Sequence, residues 1–305
     1  MHWKKGLWYV LLSLAVTSVG VVGFSYYTLT RLIKGRQETA YYREHAEKMY
    51  VQHAASPVRF KNSDGHTLFG MLIRREQAAG TVVFCHGYRH THQSMMQMTK
   101  YFPEYNLLFF DFRSYGKSEG TYTSVGHHEY RDVIAATQFA KQRGLAGPLI
   151  LFGASMGAAA IIKAVRRHPE IADILFLDAP YANFNEVLAH SFAHFVGLPH
   201  YPFMPTILAL FTMMMGREVA TMHPEDDIAH IDKPLLIMHS AGDFVTLPEH
   251  SVRLYNKVGT INKRSRLWVG PSAEHCQMYR LYPDLYKHKI RKFLAKAREW
   301  LRVDD

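Results

Sequence analysis

The pentapeptide at 153–157, Gly-Ala-Ser-Met-Gly, places the tightest limit on what this chain can fold into. It follows the apolar run 148–152 and leads into an alanine-rich stretch that favours a helix. Strand, Gly-x-Ser-x-Gly and helix, in that order, form a nucleophile elbow. Ser155 would sit at a strained turn, and Gly153 and Gly157 would let strand and helix approach without side-chain clashes. The sequence therefore predicts a sharp turn that exposes the hydroxyl of Ser155.

A second motif, upstream, supplies the donors that such a serine needs. The apolar segment 81–85 is a predicted buried strand, and it ends in His86-Gly87-Tyr88. A His-Gly pair at a strand end is where this arrangement places its second oxyanion donor. We therefore predict that the backbone N–H groups of Tyr88 and Met156 form an oxyanion hole, with His86 and Gly87 supporting it.

Two further strand ends carry an acid and a base. The apolar run 234–239 is followed by Asp243, and the run 265–269 is followed by a loop that carries His275. A serine hydroxyl is a weak nucleophile until a base takes its proton. His275 is the only histidine in the loop after the last predicted strand, so we assign it that role. Asp243 would hold the imidazole of His275 in the required tautomer. Asp178, at another strand end, is the alternative acid.

The order Ser155, Asp243, His275 and the strand-end motifs together resemble the α/β-hydrolase superfamily. Within it the chain is similar to membrane-anchored serine hydrolases of the Bem46 and ABHD type. The resemblance covers about residues 56–305 and includes the pattern Asp-x-Arg-x-x-Gly-x-Ser at 111–118. It implies the α/β-hydrolase fold and hydrolysis of an acyl bond. The relatives usually carry Gly where Ser114 stands and His-Gly where His239-Ser240 stands, which puts local loop geometry in question. Asp111 and Arg113 are expected to lock the loop after their strand.

Alternation of strand and helix patterns predicts the fold class, α/β with a doubly wound, mostly parallel sheet of about eight strands. The predicted strands lie near 58–61, 66–73, 81–85, 106–111, 148–152, 173–178, 234–239 and 265–269, and the first two form a hairpin.

The predicted domain organisation has four parts. Residues 1–30 form a membrane anchor, 31–55 a helical stalk, 56–180 with 234–305 the core, and 181–233 a helical cap. The cap segment is too long for a structureless loop. Its Met-rich helix suits an adaptable acyl-chain pocket or the cap's own core.

The N-terminal region predicts a transmembrane helix. No charged residue occurs from Gly6 through Thr30, and that stretch would be about 37 Å long as a helix, enough for a hydrocarbon core of about 30 Å. Interfacial aromatics stand near both ends. A cleaved signal peptide is the alternative. Basic residues flank both ends, so the side of the membrane that the catalytic domain faces stays open.

The remaining features limit which partners and cofactors the protein can have. A net charge of +10 is spread through the chain without a basic block, which argues against a nucleic-acid partner. The predicted triad needs no cofactor or metal, and His190 and His194 have no evident third ligand. Cys85 and Cys276 are interpreted as buried free thiols, with a disulfide as the alternative.

The sequence thus predicts a membrane-anchored serine hydrolase that takes acyl esters, from small carboxylic esters to lipid-like substrates. A thioesterase, a peptidase and an acyltransferase would carry the same motifs. A non-catalytic ligand-binding protein on this fold belongs to a different class, and it would have no need for an intact Ser/Asp/His set.

Overall fold

The computed structural model describes residues 2–35, 40–145 and 147–304, so part of the predicted stalk, at 36–39, lies outside the described residues. The longer helices, in chain order, are α1 (His2–Ile33), α2 (Ala40–Gln52), α3 (Tyr130–Gln142), α4 (Met156–Arg167), α5 (Phe184–Val196), α6 (His200–Met215), α7 (Pro248–Gly259) and α8 (Pro283–Asp304). Short helical turns lie at His92–Met95, Met96–Tyr101, Pro169–Ile171, Arg217–Thr221, Pro224–Ile228 and Met278–Leu281.

The chain divides into two compact units. The smaller unit consists of Met1–Lys34 and Asn185–Met222, and the larger consists of Gly35–Phe184 and His223–Asp305. The N-terminal helix and most of the predicted cap therefore belong to one unit.

The larger unit is built on an eight-stranded sheet, as predicted. Its strands are β1 (Ser56–Lys61), β2 (Thr67–Ile73), β3 (Thr81–Cys85), β4 (Asn106–Phe110), β5 (Leu149–Ala154), β6 (Ile174–Asp178), β7 (Leu235–Ser240) and β8 (Ser265–Gly270). They lie in the order β1-β2-β4-β3-β5-β6-β7-β8. β1 and β2 pair as the predicted hairpin, β2 also runs antiparallel to β4, and every other pair is parallel.

The pattern of burial explains why the central strands read as continuous apolar runs. Every residue of β3, β4, β5, β6 and β7 is buried, whereas the edge strands β1 and β8 contain both buried and exposed positions. Parallel strands covered on both faces have no solvent side that would select polar residues.

The register of the parallel strands brings the functional loops to one edge of the sheet. Cys85 at the end of β3 pairs with Gly153 of β5, and Ala154 pairs with Asp178 at the end of β6. Asp178 in turn pairs with Met238 near the end of β7. The loops after β3, β5, β6 and β7 therefore start from the same edge, which is where open parallel sheets place their ligand sites.

The smaller unit is helical. α1 packs against α6, and the rings of Phe24 and Phe203 lie 5.3 Å apart between centroids. Phe203 also lies 6.2 Å from Phe192 of α5. Within the described residues, the segment Lys5–Ile33 of α1 is the one helix long and apolar enough to cross a bilayer, a property that membrane anchors share with signal sequences.

Candidate active site

The turn between β5 and α4 has the strained geometry that a nucleophile elbow requires. Ser155 has φ of 50° and ψ of −113°, in a region that L-residues rarely adopt. A Cβ atom on Gly153 would lie 2.6 Å from the backbone nitrogen of Ala158, and one on Gly157 would overlap the carbonyl oxygen of Cys85. Both glycines are therefore required by close backbone packing, as the motif predicted.

The two predicted oxyanion donors belong to backbone segments beside Ser155. Met156 is the first residue of α4, where helix N–H groups have no intrahelical acceptor. A Cβ atom on Gly87 would lie 3.7 Å from the Cβ of Ser155, so the segment that carries Tyr88 runs next to the serine. This placement is consistent with a pair of backbone donors near the reacting group.

His86 holds that segment in position and has a defined tautomer. The backbone N–H of Phe112 donates to its Nε2 at 3.0 Å, so the proton is on Nδ1, which donates to the carbonyl oxygen of Gly87 at 2.8 Å. Burial lowers the pKa of His86 to about 4, so the ring is neutral near pH 7. His86 therefore ties the loop after β3 to the loop after β4.

His275 and Asp243 are brought together in the structure. The Nδ1–H of His275 donates to Oδ2 of Asp243 at 2.6 Å. Oδ1 accepts from the backbone N–H groups of Val245 and Thr246, both at 3.0 Å. Burial favours the neutral acid, but hydrogen bonds from His239 and His275 hold the pKa of Asp243 well below its ordinary value. With Nδ1 occupied as a donor, Nε2 of His275 is the nitrogen that can accept a proton.

Sequence reasoning missed a second histidine on the same carboxylate. Nε2 of His239 lies 3.2 Å from Oδ2 of Asp243 and 2.7 Å from the carbonyl oxygen of Thr246, so this nitrogen carries the proton. The hydroxyl of Ser251 donates to Nδ1 at 2.6 Å. Only the side-chain orientation in the folded chain reveals this role, because in the sequence His239 is one more residue of an apolar strand.

Ser240, one of the two departures from the relatives, makes contacts that a glycine could not. Its hydroxyl donates to the carbonyl oxygen of Ala273 at 2.7 Å and accepts from the Ala273 N–H at 2.6 Å and the Gly242 N–H at 3.2 Å. Ser240 thus fastens the end of β7 to the loop that carries His275.

The acid-base pair and the elbow meet at the end of β6. The carbonyl oxygen of Asp178 accepts from the N–H of Ser155 at 2.8 Å, and the Cys276 thiol points at the same oxygen from 3.8 Å. The residue after His275 therefore lies beside the elbow.

The Asp178 side chain has a different partner from the Asp243 side chain. The hydroxyl of Tyr286 donates to its Oδ2 at 2.6 Å, and burial raises the pKa of Asp178 to about 6. The carboxylate on His275 is that of Asp243, so the geometry favours Asp243 as the acid.

The motif at 111–118 has a structural function. Asp111 accepts from Nδ1 of His92 at 2.7 Å, and the Nε2 of His92 lies 2.5 Å from the Tyr50 hydroxyl. Arg113 pairs with the buried Asp132, with 2.7 Å between Nη2 and Oδ1. Asp111 and Arg113 therefore each lock the loop through other partners, rather than through each other.

Ser114, the other departure from the relatives, stands at a glycine-like position. Its φ is 63°, in the left-handed region where glycine is favoured. Ser114 therefore adopts a backbone conformation that glycine adopts more readily.

The remaining candidates are two cysteines and a pair of histidines. Cys85 and Cys276 are free thiols, and burial raises the pKa of both well above the ordinary value. The rings of His190 and His194 stack with centroids 6.3 Å apart. Across the described residues, no group of three or more His, Cys, Asp or Glu side chains could hold a metal ion.

Comparisons with known proteins show which families and proteins this chain is similar to. The family model described as serine aminopeptidase, S33, matches residues 76–217, which contain Ser155 but neither Asp243 nor His275. YqkD of Bacillus subtilis is 28% identical over 239 residues, 75% of this chain and 76% of that protein. The lysophosphatidylserine lipase ABHD12 of Mus musculus is 26% identical over 261 residues, 81% of this chain and 64% of that protein.

Solved structures share the architecture. The esterase Pf2001 of Pyrococcus furiosus has a TM-score of 0.71 and 22% identity, covering 87% of this chain and 98% of its own. Est1E of Butyrivibrio proteoclasticus, bound to ferulic acid, has a TM-score of 0.62 and 19% identity, covering 79% of this chain and 100% of its own. The chain has the α/β-hydrolase fold, and it resembles serine hydrolases of the ABHD type.

Proposed function

We propose that this chain, which resembles the serine hydrolases of the α/β-hydrolase superfamily, cleaves acyl esters through a covalent intermediate on Ser155. The observation that carries the proposal is the 2.6 Å hydrogen bond between His275 and Asp243, in a loop whose next residue, Cys276, contacts the same Asp178 carbonyl oxygen that accepts from the Ser155 N–H. A base held by an acid beside a strained serine is the arrangement that nucleophilic acyl transfer requires.

In acylation, His275 acts first as the base and then as the acid. Nε2 of His275 takes the hydroxyl proton of Ser155 as Oγ attacks the ester carbonyl carbon. The carbonyl oxygen becomes an oxyanion, which the N–H groups of Tyr88 and Met156 would stabilise by about 3 kcal/mol per donor. When the intermediate collapses, the bond from carbon to the alcohol oxygen breaks, and the alcohol leaves with the proton from His275.

Deacylation repeats these roles with water. His275 takes a proton from the water whose oxygen attacks the acyl carbon, and returns it to Oγ of Ser155 as the acid departs. Asp243 stays ionised throughout, since its hydrogen bonds hold its pKa well below its ordinary value. Its charge stabilises the imidazolium that forms in both steps.

Among possible substrates, we rank esters with a long acyl chain first. We also propose that α1 is an uncleaved anchor in a membrane. A relative named as a lysophosphatidylserine lipase supports a lipid-like ester. The apolar helix at Lys5–Ile33 supports delivery of the enzyme to a bilayer, where such substrates reside.

The full-length protein in detergent tests the chemistry. Ser155→Ala should abolish both hydrolysis of p-nitrophenyl esters and labelling by a fluorophosphonate probe. Ser63→Ala, on the exposed turn between β1 and β2, is the matched control and should retain both. Retained labelling in Ser155→Ala would refute the proposed nucleophile.

A substrate panel then ranks the alternatives. Esters of increasing acyl length, lysophosphatidylserine, acyl thioesters and aminoacyl amides should be compared by kcat/KM, with an added alcohol to detect acyl transfer. We expect long-chain esters to be preferred. Preference for aminoacyl amides would favour a peptidase, the activity in the description of the matching family model.

A further inference from the structure

A second charge-free segment of the chain packs against the predicted membrane anchor. No Asp, Glu, Lys or Arg occurs between Glu186 and Arg217, a stretch that includes nearly all of α5 and the whole of α6. Large apolar side chains in this stretch are exposed: Phe195 is 63%, Tyr201 72% and Met213 80% accessible. Exposed apolar surface of this kind marks contact with a partner or a membrane.

The contact between α1 and α6 fixes the depth of this segment. A helix needs about 20 residues to cross a hydrocarbon core of about 30 Å. Lys5 and Arg31 confine a charge-free crossing to the residues between them. The earliest window of that length ends at Ser25 and the latest begins at Leu11, so every window contains Phe24. A tilted helix needs a longer window, which also contains it.

Because the ring of Phe203 lies 5.3 Å from that of Phe24, Phe203 lies in the hydrocarbon core or in the interface that adjoins it wherever α1 is placed along the membrane normal. Phe203 stands near the start of α6, and α5 reaches it through Phe192. The parts of α5 and α6 around Phe192 and Phe203 therefore lie near that depth as well.

We propose that α5 and α6 form a re-entrant hairpin that is inserted into one leaflet of the lipid bilayer beside α1. The two helices have 13 and 16 residues, about 20 and 24 Å as helices, too short to cross the core. Phe195, Tyr201 and Met213 contact acyl chains. The bilayer is thus the partner of this apolar surface, and the protein is bound through three helices.

This inference rests on the anchoring proposed above, and site-directed fluorescence separates the two. The full-length protein carries an environment-sensitive dye on Phe195→Cys or Met213→Cys. It is reconstituted in phosphatidylcholine–phosphatidylglycerol vesicles with doxyl-labelled lipids or with aqueous iodide as quencher. Leu12→Cys reports on α1 alone, and Ile261→Cys, on an exposed turn of the larger unit, is the aqueous control. Unsubstituted protein measures background labelling of Cys85 and Cys276.

We expect the dyes at Phe195, Met213 and Leu12 to be quenched by doxyl lipids and protected from iodide, and the dye at Ile261 to show the reverse. Iodide quenching at Phe195 and Met213, with lipid quenching at Leu12, would overturn the hairpin and leave the anchor standing. Iodide quenching at Leu12 as well would overturn both. Fluorophosphonate labelling of each variant verifies that it is folded.

Discussion

Asp178 is the last residue of β6 and Asp243 lies in the loop after β7, and their surroundings give the two carboxylates opposite properties. Asp243 is held ionised by two histidines, whereas burial raises the pKa of Asp178 to about 6. Asp243→Asn should lower kcat by about 10⁴-fold, because the histidine tautomer would no longer be fixed. Asp178→Asn should lower kcat far less, since its carboxylate bonds Tyr286. The opposite ranking in steady-state kinetics would make Asp178 the catalytic acid.

The raised pKa of Asp178 also predicts a pH-dependent change in stability. The folded-state pKa of about 6 exceeds the unfolded value of about 3.9, so ionisation opposes folding and stability is lost as pH rises through about 6. Asparagine cannot ionise and can still accept from Tyr286. Asp178→Asn should therefore exceed the parent in unfolding free energy by up to about 3 kcal/mol near pH 8, with little gain near pH 4. Urea unfolding at both pH values measures the difference, and an equal gain at both would contradict this origin.

The sequence predicted the elbow and, from the order of strand ends, Asp243 and His275, but it missed His239 as a partner of Asp243. The elbow is a contiguous pattern, so Ser155, Gly153 and Gly157 could be recognised directly. His239 contacts Asp243 only because the loop after β7 folds back onto its own strand. Nothing in spacing alone distinguishes it from a packed strand residue.

At the scale of elements, the elbow depends on how closely α4 approaches β3. A Cβ atom on Gly157 would overlap the backbone of Cys85, which cannot move without disturbing the sheet. Gly157→Ala should lower the unfolding free energy by about 1–3 kcal/mol and abolish esterase activity. Gly259→Ala at the end of α7, where a Cβ meets only ordinary contacts, is the matched control. Chemical denaturation and ester assays of the two variants test this, and equal behaviour would contradict the steric account.

The connection between β7 and the His275 loop gives a second prediction at this scale. Ser240→Ala leaves the buried Ala273 N–H without its acceptor, which should cost about 1–3 kcal/mol of stability. Because that loop positions His275, kcat should fall as well. Ser265→Ala, at the start of β8, removes a buried hydroxyl that, among the described residues, donates to the Asn262 carbonyl oxygen alone. It should lower stability and leave kcat unchanged; a kcat of Ser240→Ala equal to the parent's would refute the positioning role.

Strand positions were predictable to within one or two residues because buried parallel strands leave unbroken apolar runs bounded by turns. The packing of α1 on α6 was not predictable. Both are apolar helices without a distinctive period, so the sequence shows that each needs a partner without showing which one.

At the scale of the whole molecule, the division into two units groups α1 with residues that follow β6. The cap boundaries at 181–233 remain a sequence prediction, and the compact unit includes Asn185–Met222 of that segment. Residues distant in the chain therefore share a unit with α1, and loss of α1 should affect more than the proposed membrane attachment.

The last prediction concerns what happens when α1 is retained and when it is removed. If α1 is an uncleaved anchor, protein from membranes should have the intact N-terminal mass and resist carbonate extraction, whereas signal cleavage would release a chain starting near Val21 or Phe24.

Deleting residues 1–35 removes no member of the proposed triad or oxyanion hole, so hydrolysis of small soluble esters should persist. The deletion also uncovers the face of α6 that packs on α1, including Phe203. Because this adds apolar surface to the exposed Met213 and Tyr201, the truncated protein should still float with vesicles in a density gradient. If the full-length chain floats and the truncated chain does not, α1 is the sole membrane attachment.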